Sequence, residues 1–243
     1  MPEAPFFTIL NRIDSTNNYA MGQVHAGLAK HGMAWFAGEQ TRGKGQRGKS
    51  WNAEPGQNLL LTVLLEPQSW QLSAQFLFSA AVAITCRDFI CQLAGDEVCI
   101  KWPNDLYWRD RKTGGILMEN NIHGSVWKCA VVGIGININQ VRFDEHLPNP
   151  VSIKQITGKD HDPIQLAREL HLLLLKRMEE MMAVPGSEII NRYNELLYCR
   201  NQEVKLKYGD EIIETVISSV SEKGRLMTTD ERQFDFGEVS WIL

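Results

Sequence analysis

The chain has 243 residues, of which 44% are hydrophobic and 22% are charged, with a formal net charge of −4 and a pI near 5.9. This composition is typical of a globular protein with one large domain, or one domain and a small satellite. A mildly acidic chain is not expected to bind nucleic acid through its overall charge. Where cations cluster in the sequence, they therefore suggest a specific binding site.

The N-terminus, the apolar runs, and the cysteines and histidines argue against a secreted protein, a membrane protein and a metalloprotein. The first ten residues, MPEAPFFTIL, include a glutamate and two prolines and do not predict a signal peptide. No apolar run approaches the roughly 20 residues needed to cross a membrane. Five cysteines and six histidines are scattered, without a C-x-x-C pair. We therefore expect a cytoplasmic protein with reduced thiols, no membrane contact and no metal site built by the protein.

Apolar spacing predicts the elements of the first hundred residues. Asp14 to Asn17 is a cluster of good helix N-cap residues. The run NLLLTVLL is continuous and of strand length, which is typical of a buried strand. The predicted order is strand Phe7–Ile13, a helix to about residue 30, strands 33–37 and 58–65, and a helix over 73–93.

The second half predicts strands, then helices, then strands again. From Val98 to about residue 138, β-type segments alternate with turn residues at 103–105, 120–121 and 123–124. Asp162-Pro163 is a cap followed by a first-turn proline, and it predicts a helix to about Met182. A second helix is predicted over 188–198. The last 40 or so residues predict short strands, so we divide the chain into domains 1–196 and 197–243.

The segment TRGKGQRGKS, residues 41–50, raises the question of function. Residues 43–50 satisfy G-x-x-x-x-G-K-[ST], the phosphate-loop pattern of nucleoside triphosphatases. A true phosphate loop opens a helix, but Pro55 and Gly56 follow here and oppose one. Two interpretations remain, a solvated cationic hairpin and an anion clamp in which glycines let the backbone approach the ligand.

Four motifs resemble those of the biotin protein ligases. EQTRGKGQRGKSW is similar to their glycine-basic loop, and KWPNDLYWRDRKTGGILME is close to their K-W-P-N-D signature. DSTNNYA and GIGININ match two further motifs, and the tail GEVSWIL is similar to the end of their C-terminal domain. These motifs cover essentially the whole chain, and the K-W-P-N-D segment is the most specific.

The resemblance implies a fold and a reaction. The fold would be α+β, with a mixed β-sheet catalytic domain of the biotin/lipoate ligase type, flanking helices and a small SH3-like β-barrel. Biotin and ATP would give biotinoyl-5′-adenylate and pyrophosphate, and a lysine of a biotin carboxyl carrier protein would then take the biotinyl group. Mg²⁺ would accompany ATP. The chain would lack the DNA-binding domain of repressor-type ligases, so no operator binding is expected, and it would be a monomer or a homodimer.

For the vitamin, the resemblance implies a polar and a cationic set of residues. Ser15, Thr16 and Asn17, which judged alone are helix caps, would bind the ureido head together with Gln40. Lys112, which judged alone is an exposed turn lysine, would place its ammonium at the biotin carboxylate and the α-phosphate. The remaining residues predicted to contact biotin are Lys44, Gly45, Gln46 and Gly115.

For the nucleotide, the resemblance implies a loop, a base site and a proton acceptor. Trp51 would lie near adenine and Asn137 would hydrogen-bond the base, while Asn104 orders the turn before Asp105. Asp105 would accept the proton of the incoming lysine. Glycines at 115 and 135 would let the backbone approach the ligand. The loop residues predicted to close over the adenylate and exclude water are Gly43, Lys44, Gly45, Gln46, Arg47, Gly48 and Lys49.

One position departs from the family pattern, and two other functions stay open. Many family members have arginine where this chain has Gln46, so Lys44 or Arg47 would take over that charge, or the adenylate would leak faster. A lipoate-protein ligase shares the fold and the acyl-adenylate chemistry but not the K-W-P-N-D run. A nucleic-acid-binding module would use the basic loop and would show steep salt dependence.

Overall fold

The described part of the chain forms two β-sheets and five α-helices. In the computed structural model, the described residues are 6–242. The helices are α1 Thr16–His25, α2 Gln75–Ala94, α3 Ile153–Thr157, α4 Pro163–Met181 and α5 Gly186–Glu195. The strands are β1 Phe7–Ile13, β2 Ala34–Gln40, β3 Leu59–Leu65, β4 Val98–Lys101, β5 Asp105–Trp108, β6 Arg111–His123, β7 Val126–Ile136, β8 Glu203–Tyr208, β9 Glu211–Val220, β10 Leu226–Thr228, β11 Gln233–Phe234 and β12 Val239–Ile242.

The larger sheet is mixed and has the strand order β1-β2-β3-β7-β6-β5-β4. Among these described strands, only the β1–β2 pair is parallel, and the other neighbours are antiparallel. All seven residues of β3 are buried, as the continuous apolar run predicts. Successive side chains of a strand point to opposite faces, and β3 therefore contributes to two layers.

The two faces of this sheet carry different structures. Leu61 and Val63 of β3 pack with α2, α4 and α5 in the main apolar core. Leu64 packs instead in a smaller cluster with residues of α1, including Ala20. The start of α1 and the cavity described below lie on this second face, where Thr62 interrupts the apolar run with a hydroxyl group.

The second sheet is antiparallel, has the order β11-β10-β9-β8-β12, and packs directly against the first unit. Its buried residues, among them Leu206 and Ile217, belong to the same apolar core as α2 and α5. The Trp102 indole N–H donates to the Gly224 carbonyl at 2.9 Å across the junction. The predicted class, a mixed sheet with helices followed by a small β unit, is confirmed, while the boundary between residues 196 and 197 stays a prediction.

Several predicted boundaries are wrong for local reasons. Helix α1 ends at His25 and not near residue 30, because Gly27 adopts a φ of +71° that ends the helix. Asn120 and Asn121 do not form a turn but pair with β7, and the chain reverses at Gly124, where φ is +60°. Helix α5 lies over Gly186–Glu195 and not over 188–198, and α3 was not predicted.

One helical segment, Leu72–Ala94, has the length and apolar composition of a membrane span, with a mean hydropathy of 1.5 over its most apolar window. The prediction that no apolar segment is long enough to cross a membrane is therefore wrong as far as length and composition go. Of that window, 61% is buried inside the protein. Its residues pack between the sheet, α4 and α5, which is the position of a core helix.

Candidate active site

A cavity of about 780 Å³ opens on the face of the larger sheet that carries the start of α1. Its floor is formed by residues of β3, β6 and β7, and its rim by the glycine-basic loop. Part of the wall comes from Phe236 and Gly237, in the turn between β11 and β12, and from Trp241 of β12. The cavity is therefore shared between the two structural units.

Most of the residues predicted from the sequence meet in this one cavity. Gly43 and Gly48 do not line it, although they belong to the loop above it. The predicted residues that do line it are Ser15, Thr16, Asn17, Gln40, Lys44, Gly45, Gln46, Arg47, Lys49, Trp51, Asn104, Asp105, Lys112, Gly115 and Asn137, together with Gly135.

A hydrogen-bonded polar cluster forms one end of the cavity, where α1 begins. The Thr16 backbone N–H donates to Gln40 Oε1 at 2.8 Å, and the Thr16 hydroxyl lies 3.0 Å from the same oxygen. The Thr62 hydroxyl lies 2.7 Å from Asn17 Oδ1, and Asn17 Nδ2 donates to Glu119 Oε2 at 2.9 Å. These groups are fixed before any ligand arrives, which reduces the entropy lost on binding.

Ser15 occupies the N-cap position of α1, but its side chain makes no capping hydrogen bond. The interpretation of Ser15 as a side-chain cap is therefore wrong. The first N–H groups of a helix have no partner within the helix and need one from elsewhere. Here the Gln40 side chain of β2 accepts the hydrogen bond from the Thr16 N–H. Ser15 is only 1% exposed, and it lies in the wall of the cavity.

The glycine-basic segment folds as a tight hairpin and not as a phosphate loop. The Trp51 N–H donates to the Gly43 carbonyl at 2.9 Å, and Lys44 forms an isolated bridge with Ser50. Residues 46–48 form a single 3₁₀ turn, with a positive φ at Arg47 and Gly48. A Cβ at Gly43 would overlap the Trp51 carbonyl oxygen. Gly43 therefore closes the hairpin, and no helix starts from the loop.

Two of the residues that line the cavity, Lys112 and Asp105, form an ion pair. The Lys112 Nζ lies 2.7 Å from Asp105 Oδ1, and both side chains are about one third exposed, at 29% and 27%. Lys112 is a strand residue of β6 and not a turn lysine, because its N–H donates to the Asn149 carbonyl and its backbone bridges to Pro150. This pairing holds the ammonium in the cavity rather than in solvent.

The Trp51 indole lies flat against the glycines of the floor. A Cβ at Gly135 would come 2.5 Å from Trp51 Cε2, and one at Gly115 would come 3.4 Å from Trp51 Cζ3. The Lys112 Nζ is 5.7 Å from the centre of the Trp51 ring. Both glycines therefore leave room for the indole ring on the floor of the cavity, and their predicted contact with a ligand stays a prediction.

Two asparagines predicted for the nucleotide hold backbone segments in place. The Asn104 amide donates to the Ile116 carbonyl, and the Ile116 N–H donates back to the Asn104 carbonyl at 3.0 Å, so Asn104 orders the turn before Asp105. The Asn137 amide donates to the Val151 carbonyl at 3.2 Å, and Asn137 is 6% exposed.

The loop is attached to the second sheet through Arg47. Its guanidinium donates to the Gly237 carbonyl at 2.6 Å and lies 5.9 Å from the centre of the Phe236 ring. Lys44, on the other arm of the hairpin, pairs with Glu119 at 3.4 Å. The hairpin is thus held over the cavity from both structural units, an arrangement that the sequence motifs did not reveal.

Lys101 is the main cavity residue that sequence reasoning left without a role. It is 6% exposed, at the end of β4, and its Nζ lies 3.2 Å from the Tyr107 hydroxyl. Burial lowers the pKa of the Lys101 ammonium to about 8, the nearby Lys112 adds to that shift, and Asp105 opposes it. Its place as the first residue of K-W-P-N-D was the available signal.

Thr62 and Glu119 were also missed. Thr62 is the one polar side chain within the apolar strand β3, and a buried hydroxyl needs a partner. Glu119 lies on the same face of β6 as Gly115 and Leu117, because these positions are two residues apart. Periodicity within each strand was the signal that could have found both residues.

The acidic groups of the site are few. Among the described residues that line the cavity, Asp105 is the only carboxylate. Within residues 6–242, no group of three or more histidine, cysteine, aspartate or glutamate side chains is arranged to hold a metal ion. The cationic members of the lining are Lys44, Arg47, Lys49, Lys101 and Lys112.

Comparisons with known proteins agree with this geometry. The sequence model of the Biotin/lipoate A/B protein ligase family matches residues 9–137. The bifunctional ligase/repressor BirA of Escherichia coli is 33% identical over 226 residues, which covers 90% of this chain and 68% of that protein. The biotin–[acetyl-CoA-carboxylase] ligase of Paracoccus denitrificans is 36% identical over 162 residues, covering 64% and 65% of the two chains.

Solved structures show the same fold. The biotin protein ligase from Aquifex aeolicus in complex with biotin and ATP superimposes with a TM-score of 0.81 at 24% identity, over 98% of each chain. The enzyme from Leishmania major in complex with biotinyl-5-AMP gives a TM-score of 0.69 at 22% identity. The chain belongs to the Biotin/lipoate A/B protein ligase family.

Proposed function

We propose that this protein activates biotin with ATP and transfers it to a lysine of a biotin carboxyl carrier protein. The observation that carries the proposal is the position of Lys112. Its ammonium lies in one cavity with the polar cluster at the start of α1 and with the cationic hairpin. A neutral polar head, a carboxylate and a polyphosphate therefore each find complementary groups within about 780 Å³.

In the first step, a biotin carboxylate oxygen would attack the α-phosphorus of ATP, and the bond to the β-phosphate would break to release pyrophosphate. Two anions must approach each other for this attack. The Lys112 ammonium offsets their repulsion and stabilises charge developing on the phosphorus oxygens. In the absence of substrates, Asp105 holds this ammonium at 2.7 Å, so the cation is positioned in advance.

In the proposed binding mode, the vitamin occupies the polar end of the cavity. The ureido head would bind to the polar groups that line this end, which are held in place by their mutual hydrogen bonds. These groups belong to Ser15, Thr16, Asn17 and Gln40. The other residues proposed to contact biotin are Lys44, Gly45, Gln46, Lys112 and Gly115.

The nucleotide would lie under the hairpin. Trp51 and Asn137 would contact the base, and Asn104 would support the turn beside it. Closure of the hairpin would exclude water from a mixed anhydride that hydrolyses readily. The loop residues proposed to cover the adenylate are Gly43, Arg47, Gly48 and Lys49.

In the second step, the neutral amine of the carrier lysine would attack the acyl carbon, and AMP would leave with the bonding electron pair. The proton lost by the amine needs an acceptor, and Asp105 is the carboxylate of the cavity. Mg²⁺ would neutralise the ATP phosphates and keep several waters, since one lining carboxylate suits a metal that arrives with the nucleotide. We place this activity in the cytoplasm, without nucleic acid, in a monomer or homodimer.

The first step can be tested without a carrier. The purified chain, ATP, Mg²⁺ and labelled pyrophosphate should incorporate label into ATP only when biotin is added, because the exchange requires reversible adenylate formation. Label exchange that needs lipoate and ignores biotin would support the lipoate ligase in its place. No exchange with either acid would reject acyl-adenylate chemistry.

A further inference from the structure

Lys101 is a buried cation without a carboxylate partner. Two other lysines of the cavity are paired with carboxylates, Lys112 with Asp105 and Lys44 with Glu119. Within residues 6–242, no carboxylate lies within 4.0 Å of the Lys101 Nζ. Burying an unpaired ammonium costs several kcal/mol unless other groups stabilise it. An unpaired cation in the wall of a cavity is therefore suited to an anion that arrives from outside.

Three aromatic rings enclose the Lys101 ammonium. Its Nζ lies 4.7 Å from the centre of the Tyr107 ring, 5.2 Å from that of Trp241 and 5.8 Å from that of Tyr198. The rings come from β5, from β12 of the second sheet and from the segment between α5 and β8. Aromatic faces stabilise a cation by about 0.5–2 kcal/mol, which is too little to replace a full counter-ion.

We propose that Lys101 binds the β- and γ-phosphates of ATP, the part of the nucleotide that leaves as pyrophosphate. This inference rests on the proposed function and extends it to a residue that the sequence motifs left without a role. Lys112 and Lys44 are each paired with a carboxylate, and Arg47 is bonded to Gly237. Lys49 also lines the cavity but is exposed to solvent. Lys101 is therefore the buried cation that is available for the additional negative charge that a triphosphate brings and a vitamin carboxylate does not.

Binding of a polyphosphate would also change the protonation of Lys101. Burial holds the pKa of this amine near 8, so at pH 8.5 about three quarters of the free protein has a neutral Lys101. A neighbouring anion favours the charged form, and ATP would bind together with up to about 0.75 proton at that pH. The charged and titratable groups that face the amine are Asp105 and Tyr107 of β5, Lys112 of β6, Tyr198 and Cys199 before β8, and Lys49 of the hairpin.

The experiment is calorimetric titration of the protein with a non-hydrolysable ATP analogue at pH 8.5, in buffers with different heats of ionisation. Wild type should take up a fraction of a proton close to the value above. Lys101→Arg should bind the analogue without proton uptake, since a guanidinium stays charged. Lys101→Met should weaken analogue binding at least about tenfold and leave biotin affinity unchanged.

Methionine suits the aromatic cage, and thermal unfolding of Lys101→Met should confirm that the variant folds. Lys128→Met, at an exposed position of β7, is the matched control and should behave as wild type. Analogue affinity equal to wild type in Lys101→Met would overturn the inference, as would normal adenylate formation with defective transfer to the carrier. Failure of wild type to bind both biotin and the analogue would instead reject the proposed function itself.

Discussion

At the scale of single residues, the proposed chemistry depends on where the Lys112 ammonium would lie relative to the biotin carboxylate and the α-phosphate. Lys112 is held by Asp105 across β5 and β6 and contacts the face of Trp51. Asp105 ends K-W-P-N-D and Lys112 lies two residues before G-G-I-L-M-E. These segments form the neighbouring strands β5 and β6, so the pairing is a consequence of local sequence. The place of Lys112 in the cavity was therefore predictable, while its position on a strand was not.

Lys112→Ala should lose adenylate formation by about 10²–10³-fold, because one positioned donor or cation to a developing oxyanion is worth roughly 3–4 kcal/mol. Its ion pair with Asp105 is partly open to solvent, at 29% and 27% exposure, so loss of the pair should shift the thermal unfolding midpoint by only a few degrees. Biotin-dependent pyrophosphate exchange measures the first quantity. A variant that unfolds before it loses activity would show that Lys112 is structural.

Gly135→Ala should weaken nucleotide binding while the sheet persists. The added methyl group would lie 2.5 Å from the Trp51 ring and force the indole off the floor of the cavity. Calorimetry with an ATP analogue measures the loss. Gly22→Ala is the control, since a Cβ there meets nothing within 4 Å and should stabilise α1 by about 0.5–1 kcal/mol. Unchanged nucleotide affinity in Gly135→Ala would exclude Trp51 from the binding site.

At the scale of elements, local patterns located the strands and helices but not all of their ends. The buried run of β3 and the capped start of α4 were confirmed, with Asp162 Oδ1 accepting from the Ile164 N–H at 2.8 Å. The predicted end of α1 was wrong because the positive φ of Gly27 ends the helix early. The predicted turn within β6 was wrong because its asparagines pair with β7. Propensity is a weak constraint when a neighbouring strand satisfies the backbone.

The hairpin over the cavity should open when its attachment to the second sheet is removed. In Arg47→Ala, the hydrogen bond to Gly237 and the contact with Phe236 are lost. We expect the adenylate to escape and hydrolyse several-fold faster, since water reaches an open site. Production of AMP in the absence of a carrier measures this escape. Arg42→Ala, in the same loop but outside the cavity lining, should retain the intermediate as wild type does.

At the scale of the whole molecule, the cavity is lined by residues from both structural units, and no single motif predicts how these units pack together. Phe236, Gly237 and Trp241 form its wall, but their sequence neighbourhood only predicted short strands. Trp241 approaches Lys101 although 140 positions separate them in the chain. Contacts of this kind follow from how the units pack, which periodicity within a strand cannot specify.

The buried Lys101 should also make the stability of the protein depend on pH. Its pKa is about 8 in the folded chain and 10.5 ordinarily, so between these values the unfolded chain binds more protons and stability rises with pH. Below pH 8 the buried ammonium costs up to about 3 kcal/mol. Lys101→Met should therefore be more stable than wild type at pH 7, with an advantage that shrinks by about 2 kcal/mol by pH 9.5. Urea unfolding at both values measures it, and a difference independent of pH would contradict the assignment.

The most direct test of the account is the complete reaction. The wild-type chain should be incubated with ATP, Mg²⁺, a biotin carboxyl carrier domain and either biotin or lipoate, and the carrier should be weighed by intact-mass spectrometry. We predict one biotinyl group on a single lysine, dependent on ATP, and no lipoyl group. A carrier that gains lipoate and not biotin, or that gains biotin without ATP, would contradict the account.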